Sequence, residues 1–274
     1  VTRGFIERDG TGLHFVECGS GPTVLLLHGL AGESGEFAAT MTALSADYRV
    51  VAMDQRGHGR STRRPMDLSR DVFVQDVVSL MQNVSPGAPV HLVGQSMGAH
   101  TAMLTAARRP DLVASLVLLE SDAGSGSERD AIKIGEYFAS WPVPFPTRES
   151  AQRFLGDSPI AKAWTGALEQ RHEGLCPRFD GDIMVACIRH VMEPRWEEWA
   201  SVQVPALVIY AENGMFSDGQ KELFVGHRPG TQRIDIPNSG HDAHLEQSEA
   251  WIGALSEFLG VSQTAAQQYL LGES

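Results

Sequence analysis

Val90-His91-Leu92-Val93-Gly94-Gln95-Ser96-Met97-Gly98 is an apolar run that ends in Gly-x-Ser-x-Gly. A serine placed so directly after a buried strand sits on a sharp turn in a strained region of backbone. Its neighbours two residues either side must lack bulk, so that the helix that follows can pack close. Gly94 and Gly98 fill those two places. The chain carries 28 glycines, so the pentapeptide could arise in a loop by chance, and its surroundings decide the reading. Ala99-His100-Thr101-Ala102-Met103-Leu104-Thr105-Ala106-Ala107 is small and apolar, and it ends in Arg108-Arg109 before Pro110-Asp111. Cations at the negative end of a helix and a proline stop complete the order strand, turn, helix, and Ser96 reads as a nucleophile.

Composition bounds the rest. The 274 residues suit a single α/β catalytic core. A formal charge of -12 argues against nucleic acid or an anionic membrane as partner, since both call for a positive face. Cys18, Cys176 and Cys187 are odd in number and scattered, which suggests neither a disulfide framework nor a zinc site. No charged-then-apolar leader and no apolar run of about 18 residues is present, so a cytoplasmic location without membrane insertion is expected. The glycine-rich segments fit neither nucleotide-binding spacing, and no cofactor or metal is expected.

Apolar runs alternate with helix-like segments, the pattern of a mainly parallel sheet covered on both faces. Residues 5–17 read as a hairpin turning at Asp9-Gly10. Strands are expected at Thr23 to Leu27, Arg49 to Met53, Val90 to Val93, Leu116 to Leu119, Ala206 to Tyr210 and Gln232 to Ile236. The interval 123–203 breaks the alternation. It carries four of the five tryptophans with several prolines, and it reads as a helical cap inserted into a core of 1–122 and 204–274.

Four segments together resemble the α/β-hydrolase superfamily: Leu27-His28-Gly29-Leu30, Asp54-Gln55-Arg56-Gly57-His58-Gly59-Arg60-Ser61, Gly94-Gln95-Ser96-Met97-Gly98 and Ser239-Gly240-His241. The resemblance implies an eight-stranded, mostly parallel sheet with helices on both faces, a lid after the sixth strand, and a nucleophile, acid, histidine order. It makes His241 the base that activates Ser96, and it gives the backbone N–H groups of Leu30 and Met97 to the oxyanion. His28, Asp54, Arg56 and His58 are then scaffold. His244 lies three residues beyond His241, but no carboxylate or cysteine spacing completes a metal site.

The acid departs from the commoner pattern of this family. After the seventh strand the chain reads Ala211-Glu212-Asn213-Gly214-Met215-Phe216, with Gly214 where an aspartate is usual. The end of the sixth strand, Leu119-Glu120-Ser121-Asp122, offers carboxylates instead. Glu120 ranks first, ahead of Asp122, with Asp218 and Glu212 as further alternatives. A glutamate at this strand end is similar to the arrangement in zearalenone lactonases and some haloalkane dehalogenases. A serine at the elbow disfavours opening of carbon-halogen bonds or epoxides, which relatives carry out with an aspartate there.

Acyl transfer to water is therefore expected, on a hydrophobic small-molecule ester or lactone. Leu30, Gln95, Met97, Trp141, Trp164, Met215 and Phe216 are candidates to touch it. A cofactor-free dioxygenase, a carbon-carbon bond hydrolase, an acyltransferase and a small-molecule receptor with vestigial hydrolysis remain as alternatives. Oligomeric state is not legible.

Overall fold

A computed structural model describes residues 1–124 and 126–270, with the backbone alone for 261–270. The hairpin forms as expected: β1 (Thr2–Arg8) pairs antiparallel with β2 (Thr11–Cys18), Arg8 opposite Thr11. Asp9 and Gly10 between them have φ of 50° and 71°, the left-handed pair that matches the twist of a two-residue hairpin. β3 (Thr23–Leu27), β4 (Arg49–Met53) and β10 (Gln232–Ile236) keep the bounds read from sequence. β5 (Val90–Gln95), β6 (Val113–Leu119) and β9 (Ala206–Ala211) run one to three residues longer at an end. The sheet order is β1-β2-β4-β3-β5-β6-β9-β10, parallel from β4 onward.

Alternate residues of each central strand enter different layers. Leu25 and Leu27 join one core with Val77, Leu80, Met103 and Leu104, contributed by α2 (Arg70–Val84) and α3 (Met97–Arg108). Val24 and Leu26 face the other, with Met41 of α1 (Ala38–Leu44) and Trp251 and Leu255 from near the C-terminus. Burial on both faces is why these strands read as unbroken apolar runs.

Between β6 and β9 lie α4 (Glu128–Ala139), α5 (Arg148–Leu155), α6 (Pro159–Ala167), α7 (Gly181–Arg189) and α8 (Trp196–Ser201). Ser127 and Thr147 start α4 and α5 through reciprocal capping boxes. The interval is not wholly helical, because β7 (Glu169–Arg171) and β8 (Gly174–Cys176) form a small antiparallel hairpin. Phe138, Trp141, Phe145 and Phe179 form a third apolar cluster, which also takes in Ala31, Phe73 and Met97 from outside the interval. Its last helix behaves differently: Trp199 is fully buried in the main core, stacked on Phe224 at 4.4 Å, so α8 packs with the sheet's helices. Ion pairs from Arg63 and Arg64 to Asp180 and Asp182 fasten the interval to the loop after β4. α9 (Asp218–Gly226), α10 (Ala243–Glu246) and α11 (Ser248–Leu270) complete the chain. Among the described residues no helix is long and apolar enough to cross a membrane.

Candidate active site

Ser96 stands between β5 and α3 with φ 51° and ψ -117°, a conformation that a side-chain-bearing residue adopts only when its surroundings enforce it. Enforcement comes from both sides. The Ser96 N–H donates to Leu119 O at 2.8 Å, tying the elbow to β6, and the Ser96 carbonyl accepts from His100 N–H at 3.0 Å in the first turn of α3. A Cβ on Gly94 would lie 2.3 Å from Gly98 O, and one on Gly98 would lie 2.2 Å from Leu27 O. The motif's glycines are required by close approach of backbone to backbone.

Glu120 continues β6 and also has positive φ, 51°. Its side chain is 1 % exposed, yet every charge-bearing atom is provided for. Oε1 accepts from Ala211 N–H at 2.8 Å; Oε2 accepts from Met215 N–H at 2.8 Å and lies 3.3 Å from His241 Nδ1. An ionised carboxylate only accepts, so Nδ1 carries the ring proton and Nε2 is left with a lone pair. Gly214 explains why the acid can stand here. A Cβ at position 214 would be 2.3 Å from Glu120 Oε1, so the glutamate carboxylate fills the space that a side chain after β9 would take.

His28 and Gln55 order the loop after β3. His28 Nε2 accepts from Gln55 N–H at 2.9 Å and Nδ1 donates to Gly29 O at 2.7 Å, while Gln55 Nε2 donates to His28 O at 2.7 Å. Burial pushes the His28 pKa down, which suits a ring that both donates and accepts. Leu30 follows in the turn closed by Gly32 N–H to Gly29 O at 3.2 Å. The Met97 N–H belongs to the first turn of α3, where backbone donors have no acceptor within the helix.

Ser96, Glu120 and His241 line a single cavity of about 580 Å³, together with Leu30 and Gln95. Such a site can activate a serine hydroxyl, hold an imidazolium, and offer N–H groups to a developing oxyanion. The profile of the alpha/beta hydrolase family matches residues 24–254. The chain belongs to the alpha/beta hydrolase family. Its relatives include the 2-(acetamidomethylene)succinate hydrolase of Mesorhizobium japonicum, 36% identical over 263 residues, which are 90% of this chain and 91% of that protein. The sn-1-specific diacylglycerol lipase ABHD11 of Mus musculus is 28% identical over 254 residues, covering 87% and 81%. Among solved structures, the enol-lactonase from Burkholderia xenovorans LB400 superposes with a TM-score of 0.76 at 21% identity, covering 94% of this chain and all of that one, a likeness of fold.

Around this candidate site, the other residues named from sequence divide. Trp164, Met215 and Phe216 line the cavity. Met97 is fully buried in the cluster with Phe73 and off the cavity lining, and Trp141 also lies off the cavity, packed among Phe138, Phe145, Trp164 and Phe179. Asp122 lines the cavity and accepts from Gly124 N–H at 2.9 Å. Glu212 instead accepts from Asn238 N–H at 2.8 Å, bracing the loop before His241. Asp218 opens α9 off the cavity lining. His244 turns away, buried against Phe37 and 4.0 Å from Glu36, and burial drives its pKa down to about 3.

Residues that sequence reasoning passed over also line the cavity: Glu36, His100, Lys133 and Asp242. Burial raises the Glu36 carboxyl well above the carboxylate range, with Asp242 adding to it, and burial raises Asp242 as well. Asp242 could have been suspected from its place beside His241. His100 had a signal too, an imidazole one turn after Ser96 among small and apolar residues.

Proposed function

We propose that this hydrolase cleaves a carboxylic ester or lactone of a largely apolar small molecule through an acyl-enzyme on Ser96. The Ser96 oxygen attacks the carbonyl carbon as His241 Nε2 takes its proton. Glu120 stabilises the imidazolium, and the N–H groups of Leu30 and Met97 receive the oxyanion. Collapse breaks the carbon-oxygen bond, and the leaving alkoxide takes the proton from His241. A water then repeats the cycle on the acyl carbon, its proton passing to His241 and returning to Ser96. Residues 123–195 act as the cap that closes over the acyl group, with 196–203 part of the core.

The observation that carries this reading is the Glu120 carboxylate, held by two backbone N–H groups and set 3.3 Å from the ring of a histidine that shares a cavity with an elbow serine. Ile134, Phe138, Ile160, Trp164, Ile188 and Met192 support an apolar substrate body. The same machinery acting on an acetamidomethylene succinate is a second reading, favoured by the 36% identity to the Mesorhizobium enzyme. The test is turnover of 4-nitrophenyl hexanoate by wild type beside Ser96→Ala, with mass spectrometry after a fluorophosphonate. An adduct on Ser96 and loss of turnover in the variant are expected. Turnover that survives Ser96→Ala would overturn the proposal.

A further inference from the structure

The wall of the cavity one turn beyond Ser96 holds an imidazole without a hydrogen-bond partner, and behind it a guanidinium without a counter-charge. His100 is 1 % exposed and lines the cavity, and neither of its ring nitrogens has a hydrogen-bond partner. Arg70 lies close enough for its charge to act on His100. The guanidinium is 2 % exposed and sits over the Phe73 ring at 4.3 Å. One nitrogen, Nη2, donates to Met97 O at 3.4 Å and to Thr101 Oγ1, while Nε and Nη1 are buried without an acceptor.

A buried guanidinium normally faces a carboxylate, as Arg56, which also lies over the Phe73 ring, does with Asp76 of α2 at 2.6 Å. Among the described residues Arg70 has no such partner. Cys187, whose charge would act on Arg70, does not supply one, because burial pushes its thiol up to about 12. Arg70 itself is lowered by burial to about 10 and stays charged at neutral pH. Arg195, also near enough to act on both, pairs with Glu193 and Glu198 but leaves its Nε buried and unused. Lys133 also lines the cavity, but Asp130, one turn before it on α4, lines it too and is near enough for the two charges to offset each other. Carboxylates line the cavity as well: Glu120, Asp122 and Asp130, with Glu36 against Gly32 of the oxyanion loop and Asp242 next to His241, and none of them pairs with His100 or Arg70.

We propose that the wall formed by His100 and backed by Arg70 is a carboxylate-binding subsite, so that the substrate carries a free carboxylate in addition to the ester or lactone that Ser96 attacks. The carboxylate accepts from the His100 ring N–H, and the charge of Arg70 behind it compensates the anion in a region too dry for water to do so. This inference rests on the serine hydrolase reading for its chemistry, but the subsite can be tested apart from it.

The experiment compares kcat/KM for the mono-4-nitrophenyl ester of adipic acid with that for 4-nitrophenyl hexanoate, which has the same acyl length and leaving group without the charge. The adipate ester is expected to be favoured by about tenfold or more, the effect of a charge-assisted hydrogen bond. The ratio should fall to one or below in Arg70→Met and in His100→Leu. A wild-type preference for the neutral ester, or an adipate preference that survives both substitutions, would overturn the proposal. Should Arg70→Met fail to fold, His100→Leu decides on the same ratio. A binding measurement keeps the two readings separate: glutarate should raise the Tm of Ser96→Ala and not of Ser96→Ala with His100→Leu, whereas glutaramide should raise neither. No turnover of either ester by wild type, with the glutarate shift of Ser96→Ala intact, would sink the serine hydrolase reading and leave the subsite standing. Glutarate without effect on Ser96→Ala would sink the subsite.

Discussion

Asp54 and Glu120 each hold an imidazole, and they do so in nearly the same way. Asp54 Oδ2 lies 2.8 Å from His14 Nδ1, and the carboxylate also accepts from Ser34 N–H at 2.6 Å and Arg60 N–H at 2.9 Å. Glu120 has two backbone donors at 2.8 Å and His241 Nδ1 at 3.3 Å. Both carboxylates are buried. Burial works against the charge on Asp54, but His14, Arg60 and Ser34 outweigh it and hold the pKa well below the usual range. The difference lies at the far nitrogen of each ring. His14 is fully buried beside Phe5, and its Nε2 has no partner, whereas His241 opens onto the cavity that Ser96 also lines. An acid and imidazole pair is thus a fastening in one place and a candidate proton carrier in another. Access of the second nitrogen decides between them.

Substitution should separate the two pairs most sharply at their acids. Glu120→Gln is expected to lower kcat of the folded protein by roughly three to four orders of magnitude, because the amide cannot stabilise an imidazolium, and to lower Tm as well, because its NH2 would face a donor. Asp122→Asn measured alongside should cost far less, and the reverse ranking would move the acid to Asp122. Asp54→Asn should act in the opposite sense, lowering stability by about 3 kcal/mol in urea unfolding as a buried pair is broken, while kcat of the folded protein stays within a few-fold. A large loss of kcat at full stability would remove the distinction drawn here.

Histidines buried without any carboxylate extend the comparison to pH. His91 hydrogen-bonds to Ser115 Oγ at 2.8 Å, with the Tyr48 ring edge-on at 6.0 Å, and burial lowers its pKa to about 4. That is below the value of about 6.5 in an unfolded chain, so between these two pH values the unfolded state binds a proton that the native state refuses. Stability fully present above pH 6.5 is therefore lost as pH falls, by about 2 kcal/mol at pH 5 for this residue. His91→Asn should flatten that part of the pH dependence in urea melts; an unchanged slope would refute the assignment. The smallest effect expected is Gly214→Ala. Its methyl would displace the Glu120 carboxylate, and kcat should fall about tenfold, less than in Glu120→Gln, since the charge remains nearby.

The glycine at 214 shows how far the sequence could be read. Its occurrence where an acid was anticipated pointed away from the turn after β9 and toward the end of β6, and the carboxylate of Glu120 fills the gap. Strand positions were legible because each central strand is buried on both faces and so forms an uninterrupted apolar run bounded by turn residues. Trp141 and Met97 were harder. An aromatic residue near a site has the same composition signal whether it lines the cavity or packs behind it, and only the contacts distinguish Trp164 from Trp141. The hairpin of β7 and β8 gave no strong alternation, being three residues a strand.

By itself the sequence determined the sheet, the turn at Ser96, the loop that carries His241 and a ranking of candidate acids with Glu120 ahead of Asp122, Asp218 and Glu212, because strand periodicity, turn glycines and strand-end chemistry are local properties. Only the tertiary structure decided which carboxylate reaches His241, that α8 packs with the core, and that Arg70 and His100 meet without a counter-ion. Those facts depend on residues far apart in the chain, and their charges become consequential only once folding has removed the water between them.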